Sequence, residues 1–231
     1  MRRAAAAGRV EYYTDPLCCW SWAMETVWSS IDRRFSGRLT RRIVLGGMLE
    51  SWGAYHDPVN DVGRPAQMAP LWFAASQRTG VPMSATVWHV DPPGSSWPAS
   101  VAVKAAAIQG DSCGAAYLRL AREAVMVRGL NIARPAILRQ LGLELAVADP
   151  GGFDADRFQR DLVSDAASEA FAADLREARQ LGVGRFPTLI VRGPLGGRMA
   201  VGYRDVSQVT AMLAATGVLP DGELREAEAG N

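Results

Sequence analysis

At 231 residues, with 48% hydrophobic and 21% charged side chains, the chain can bury a full core as one large domain or as a domain carrying a sizeable insertion. A formal net charge of +1 points to neither nucleic acid nor an anionic membrane surface as a partner, and no apolar run approaches the length of a membrane span. Three cysteines, Cys18, Cys19 and Cys113, make a poor disulfide framework, and residues 1–8 are too short for a secretory signal. The expected setting is cytoplasmic, with at most one working thiol.

Residues 9–14 alternate and are rich in β-formers, which predicts a strand. An Asp15-Pro16 turn follows, and Cys18 then stands where a helix should begin. Trp20, Met24, Val27, Trp28, Ile31 and Phe35 recur at helical spacing, and Gly37 supplies a stop. Residues 39–45 read as a second strand ending in Gly46-Gly47; so short a return favours a parallel, right-handed β-α-β crossover. Residues 48–64 are irregular.

The middle of the chain reads as helices. One spans 65–80 with Pro65 in its first turn, and another runs from Trp97-Pro98 to about Gln109. A third is capped by Ser112, shorter pieces follow Pro135 and Asp154, and a long one ends near Leu181-Gly182. Strand signals return at 188–191 and 199–201. Asp205 with Gln208 is a capping-box pattern opening a last helix through Ala215, and the acidic residues 221–231 read as a disordered tail. The organisation is a sheet domain in two parts, 9–64 and 182–220, interrupted by a helical insertion over 65–181.

The chemistry concentrates at Cys18. Unpaired N–H groups and the positive end of the helix dipole at a helix start favour thiolate over thiol, and thiolate is the nucleophile. Ser21 occupies the position, three residues on, where a second redox cysteine would stand. Cys19 is a secondary thiol at most, since adjacent cysteines close only a strained ring; Cys113 reads as a small buried hydrophobe. A proline directly before a central strand is odd, because it cannot donate to the ladder. A cis Phe186–Pro187 bond resolves this, and such a turn would offer the Phe186 backbone to an extended substrate. Trp20 and Trp22 either flank a substrate or belong to the core. Ser95 and Ser96, in the loop 91–98, either bind a peptide-like ligand or cap a helix. His56 and His89 lie in loops without metal-site spacing, so no metal is expected.

The β-α-β unit, the thiol at the first helix start and the turn Gly182-Val183-Gly184-Arg185-Phe186-Pro187-Thr188 together resemble the thioredoxin fold. The helical insertion is similar to the DsbA-like branch. Asp15-Pro16-Leu17-Cys18 resembles the active-site loop of cytoplasmic DsbA-family oxidoreductases. The pattern Asp-x-x-Ser-x-x-Ser-Trp, that of kappa-class glutathione transferases and hydroxychromene-carboxylate isomerases, places Cys18 at their catalytic serine and Ser21-Trp22 at their trailing Ser-Trp. Leu45-Gly46-Gly47-Met48 and Gly80-Val81-Pro82-Met83 lean the same way.

The resemblance implies an α/β thioredoxin fold with a mixed sheet and an all-helical insertion. It implies a thiol-disulfide oxidoreductase or isomerase with Cys18 as nucleophile, Ser21 as its hydrogen-bonding neighbour and the Phe186–Pro187 turn as docking edge. An external thiol would resolve the mixed disulfide. No tightly bound cofactor is expected; glutathione would serve as co-substrate and a protein or peptide disulfide as partner, for a monomer or homodimer. Two alternatives stand beside this: a kappa-type glutathione transferase or glutathione-dependent isomerase, and a non-enzymatic protease adaptor.

Overall fold

The strand-helix-strand opening forms as its pattern requires. The structure, a computed structural model, describes residues 8–35 and 39–219; the expected stop at Gly37 and the expected tail at 221–231 lie outside them. Strand β1 (Gly8–Thr14), helix α1 (Cys19–Arg34) and strand β2 (Leu39–Leu45) make a parallel β-α-β unit. Strands β3 (Thr188–Gly193) and β4 (Gly196–Val201) return as an antiparallel hairpin on the other side of β1, followed by the last helix (Val206–Ala215). The sheet order is β2-β1-β3-β4. This is the α/β thioredoxin fold with a helical insertion.

Alternation along β1 divides its side chains between two faces. Val10 and Tyr12 face α1 and the last helix, packing with Trp28, Ile31, Leu189 and Leu213. Tyr13 faces the opposite side with Val44 and Ile190. Between β2 and β3 lie the helices α2 (Met68–Thr79), α3 (Val87–Val90), α4 (Trp97–Ala107), α5 (Asp111–Met126), α6 (Pro135–Ala148), α7 (Ala155–Asp161) and α8 (Asp165–Gln180), the last helix being α9. Their core contains Trp72 and Trp88, edge-to-face with ring centroids 5.1 Å apart, and it extends to Leu17 and Cys19 beside the β1–α1 turn. The insertion and the β1–α1 turn thus share one core.

Several local readings are corrected. Ser112 does not cap α5; Gly110 is its N-cap, at φ 146°, and Asp111 is its first residue. A glycine fits there because the backbone enters a region closed to other side chains. Helix α6 is no short piece but 14 residues, and Gly142 within it makes room for the Phe158 ring, which an added Cβ would meet at 2.4 Å. Strand β4 starts at Gly196, not 199, since Gly193 pairs with Gly196 across a two-residue turn. The Asp205–Gln208 capping box forms as expected. Among the described residues, no helix is long and apolar enough to cross a membrane.

Candidate active site

Asp15, at the end of β1, builds the site. It is fully buried. Its Oδ1 accepts from the Leu17 N–H at 2.9 Å, and its Oδ2 accepts from the Met48 N–H at 2.7 Å and the Ser96 hydroxyl at 2.8 Å. One carboxylate therefore joins the turn after β1, the turn after β2 and the start of α4. The Asp15 carbonyl accepts from the Cys18 N–H at 3.2 Å, leaving Cys18 as the extended N-cap residue of α1, φ −80° and ψ 111°. Across the turn, the Phe186–Pro187 bond is cis, as expected. The Cys18 thiol donates to the Phe186 carbonyl at 3.3 Å, while the Pro187 carbonyl accepts from the Gly202 N–H at 2.7 Å. Ser21 is fully buried. Its hydroxyl lacks a hydrogen-bond partner, yet lies close enough to the Cys18 sulfur to favour its anion.

The expected thiolate is corrected. Burial pushes the Cys18 thiol above its ordinary value; the Ser21 hydroxyl and N–H oppose this, the Asp15 carboxylate adds to it, and Arg122 pulls it down. Cys18 is only 5% exposed, and desolvation of an anion outweighs a helix start whose donors are few. Its partner carbonyl also accepts a hydrogen bond from it, which suits the thiol and not the thiolate. Burial pushes Cys19 higher still, with the Cys18 charge adding to it.

Cys18 opens on a cleft of about 700 Å³. Cys19, Trp20 and Phe186 line it with Cys18, Trp20 leaning on Tyr203 with centroids 6.3 Å apart. Trp22 does not: its indole N–H is tied to the Pro82 carbonyl at 3.1 Å, on the insertion. Neither Ser95 nor Ser96 lines the cleft. The Ser95 hydroxyl donates to the Leu49 carbonyl at 3.0 Å and accepts from the Trp97 N–H at 3.1 Å. The Ser96 hydroxyl is buried and committed to Asp15. His56 lines the cleft, whereas His89 sits exposed on α3. Cys113 packs in the helical core with its thiol on the Gly152 carbonyl at 3.3 Å, and all three cysteines are free.

Sequence reasoning missed Tyr55, Asp57, Asn60 and Arg185, which complete the cleft. The Asp57-Pro58-Val59-Asn60 run carried a signal, since Asp before Pro in a polar stretch predicts an Asx turn; Asp57 Oδ1 indeed accepts from the Val59 N–H at 3.0 Å. It also missed Arg122, whose guanidinium lies beneath the β1–α1 turn. Among the described residues, no group of three or more His, Cys, Asp or Glu side chains is placed to hold a metal ion.

Residues 12–195 match the family described as Thioredoxin. The ClpXP adapter protein SpxH of Halalkalibacterium halodurans is 29% identical over 183 residues, 78% of this chain and 58% of that protein. The chain thus spans less than two thirds of the length of that relative. The cytosolic disulfide reductase DsbM of Pseudomonas aeruginosa superimposes with a TM-score of 0.65 at 23% identity, covering 96% of this chain and 97% of that one. DsbM solved with GSH gives a TM-score of 0.63 at 24% identity, covering 96% and 98%. A 2-hydroxychromene-2-carboxylate isomerase gives 0.61 at 18% identity, covering 96% and 100%. These structural likenesses establish a shared fold.

Proposed function

The chain belongs to the thioredoxin family, and we propose that it is a thiol-disulfide oxidoreductase or isomerase working through Cys18 alone. The observation that carries this reading is the Cys18 thiol, capping α1, 3.3 Å from the Phe186 carbonyl and open to a cleft of about 700 Å³. A serine stands where a resolving thiol would be. A substrate entering beside the cis-Pro turn takes over the Phe186 backbone by strand-like hydrogen bonds and frees the Cys18 thiol. The deprotonated sulfur attacks a substrate disulfide; a bond forms to one sulfur and the other leaves as thiolate. An external thiol then attacks the mixed disulfide, releasing Cys18 and carrying away the oxidised product. Glutathione is proposed for that role, a choice supported by the DsbM structure with GSH. Ser21, whose hydroxyl has no other partner, steadies the sulfur anion. Cys19 is a bystander, the protein needs no tightly bound cofactor, and free thiols suit a cytoplasmic setting. The test is turnover of a glutathione mixed disulfide. Cys18→Ser is expected to abolish it and Cys19→Ser to retain most of it; equal turnover in Cys18→Ser and wild type overturns the reading.

A second reading, an adaptor that brings a partner protein to a protease, is favoured by the SpxH relative and by a thiol that burial keeps protonated. It predicts no turnover and a partner interface indifferent to Cys18→Ser. Saturable glutathione binding without disulfide exchange would instead mark a kappa-type transferase or isomerase.

A further inference from the structure

Arg122 is the only buried basic side chain among the described residues, at 0% exposure. Full burial strips a guanidinium of its hydration, a cost that only close pairing repays, and a hydrophobic residue of similar volume would pack α5 without that cost. The contacts show where the charge goes. One terminal nitrogen, Nη1, ion-pairs with the Glu25 carboxylate on α1. The other, Nη2, donates to the Thr14 hydroxyl and, at 3.3 Å, to the Asp15 carbonyl. That carbonyl is the one accepting from the Cys18 N–H at 3.2 Å. A helix of the insertion therefore grips the turn that presents the reactive thiol. The Tyr12 ring covers the guanidinium at 5.9 Å, keeping water away.

We propose that Arg122 is a positioning residue for Cys18: it fixes the Asp15–Cys18 turn by its bond to the Asp15 carbonyl, and its buried charge offsets the anion that forms on the sulfur during attack. The other charged or titratable groups facing that sulfur are Asp15 before it, Cys19 beside it and Tyr55 across the cleft. His56, Asp57 and Arg185 line the outer cleft, near the solvent. Asp15 and a charged Cys19 oppose the thiolate. Arg122 is the buried cation that favours it, and Glu25 tempers Arg122 from behind. The two partners of this ion pair are therefore expected to act on Cys18 with opposite signs.

That opposition separates positioning from packing. A purely structural pair loosens the turn when either partner is cut, and both cuts move Cys18 reactivity the same way. The inference rests on Cys18 being the reactive thiol, but it is read on the thiol itself and not on turnover. A wild-type chain that alkylates normally yet exchanges no disulfide would overturn the functional reading and leave this one standing.

The experiment is the pH dependence of iodoacetamide alkylation at Cys18 in the full chain, resolved from Cys19 and Cys113 by fragment mass spectrometry. Opposite-charge neighbours typically shift a group by about one pH unit or more. Arg122→Met is expected to raise the midpoint by about one unit, a roughly tenfold slower reaction at a fixed pH below it, and Arg122→Lys to raise it less. Glu25→Gln is expected to lower it. Should Arg122→Met fail to fold, Arg122→Lys and Glu25→Gln decide alone. An unmoved or raised midpoint in folded Glu25→Gln, or a lowered one in folded Arg122→Lys, overturns the proposal.

Discussion

The two walls of the cleft are built by opposite means. On the Cys18 side, Asp15, Ser96, Met48 and Arg122 join four separate chain segments through buried polar contacts. On the facing side, the loop 54–60 is mostly exposed and closes on itself. Asp57 and Val62 exchange backbone bonds of 2.8 and 3.1 Å, and Asp57 takes the Asn60 side chain. A loose ion pair ties it across the cleft, Arg185 to Asp57 at 3.9 Å. A reacting sulfur needs its neighbours fixed, and buried bonds from distant segments fix them. A surface loop that bonds mainly to itself can change its side chains without disturbing that frame. Under the proposed function, chemistry belongs to the first wall, and substrate preference is expected from the second.

Mutations that cut the first wall are the strongest way to break the comparison. Asp15→Ala strips the partner from two N–H groups and leaves the Ser96 hydroxyl only its longer bond to the Leu49 carbonyl, all buried or nearly so. The expected loss is about 3–5 kcal/mol, since unsatisfied buried donors cost ~1–3 kcal/mol each; denaturant unfolding measures it. Gly46→Ala comes next. Its Cβ would fall 1.9 Å from the Phe186 ring, so the ring and the Pro187 turn must shift, at a cost of about 1–3 kcal/mol and with Cys18 activity lost more than fold. Ser96→Ala removes one donor from Asp15 and should cost about 1–2 kcal/mol. At the other end, Asn60→Ala on the loop should change stability by less than about 0.5 kcal/mol. It should alter KM among peptide disulfides while leaving the Cys18 alkylation rate unchanged. A large stability loss in Asn60→Ala would erase the distinction between the walls.

The pH dependence sharpens the same point. Because burial raises Cys18 above the ordinary thiol value of about 8.5, its alkylation should still be climbing beyond that pH. The folded state then holds the proton more tightly than the unfolded one. Stability from this group is fully present below the unfolded thiol value of about 8.5 and is lost as pH rises above it. Cys18→Ala should lessen that alkaline decline, the share from Cys19 remaining.

What was legible in the sequence was local. Alternation in 9–14, helical spacing after Trp20 and the Asp205–Gln208 box each depend on neighbours within one turn or one strand. Pro187 announced its cis bond because a residue with no N–H to give, set directly before a central strand, belongs in a tight turn. Contacts between distant segments stayed hidden. Ser96 reads as ligand-binding or capping until Asp15, 81 positions away, takes its hydroxyl. Arg122 lies on an amphipathic helix with nothing nearby to mark it, and its partners Thr14 and Asp15 are 108 and 107 residues distant. The expected thiolate failed for the same reason. The helix start is a local effect, whereas the burial that opposes it depends on residues distant in sequence, Phe186 at 3.3 Å among them.

The central claim is that Cys18 is the sulfur that exchanges with a disulfide. Incubation of the reduced full chain with glutathione disulfide, followed by site-resolved mass spectrometry, tests it most directly. The account predicts one glutathione adduct, on Cys18, that excess reduced glutathione removes. An adduct confined to Cys19 or Cys113, or none at all under conditions that alkylate Cys18, would contradict it.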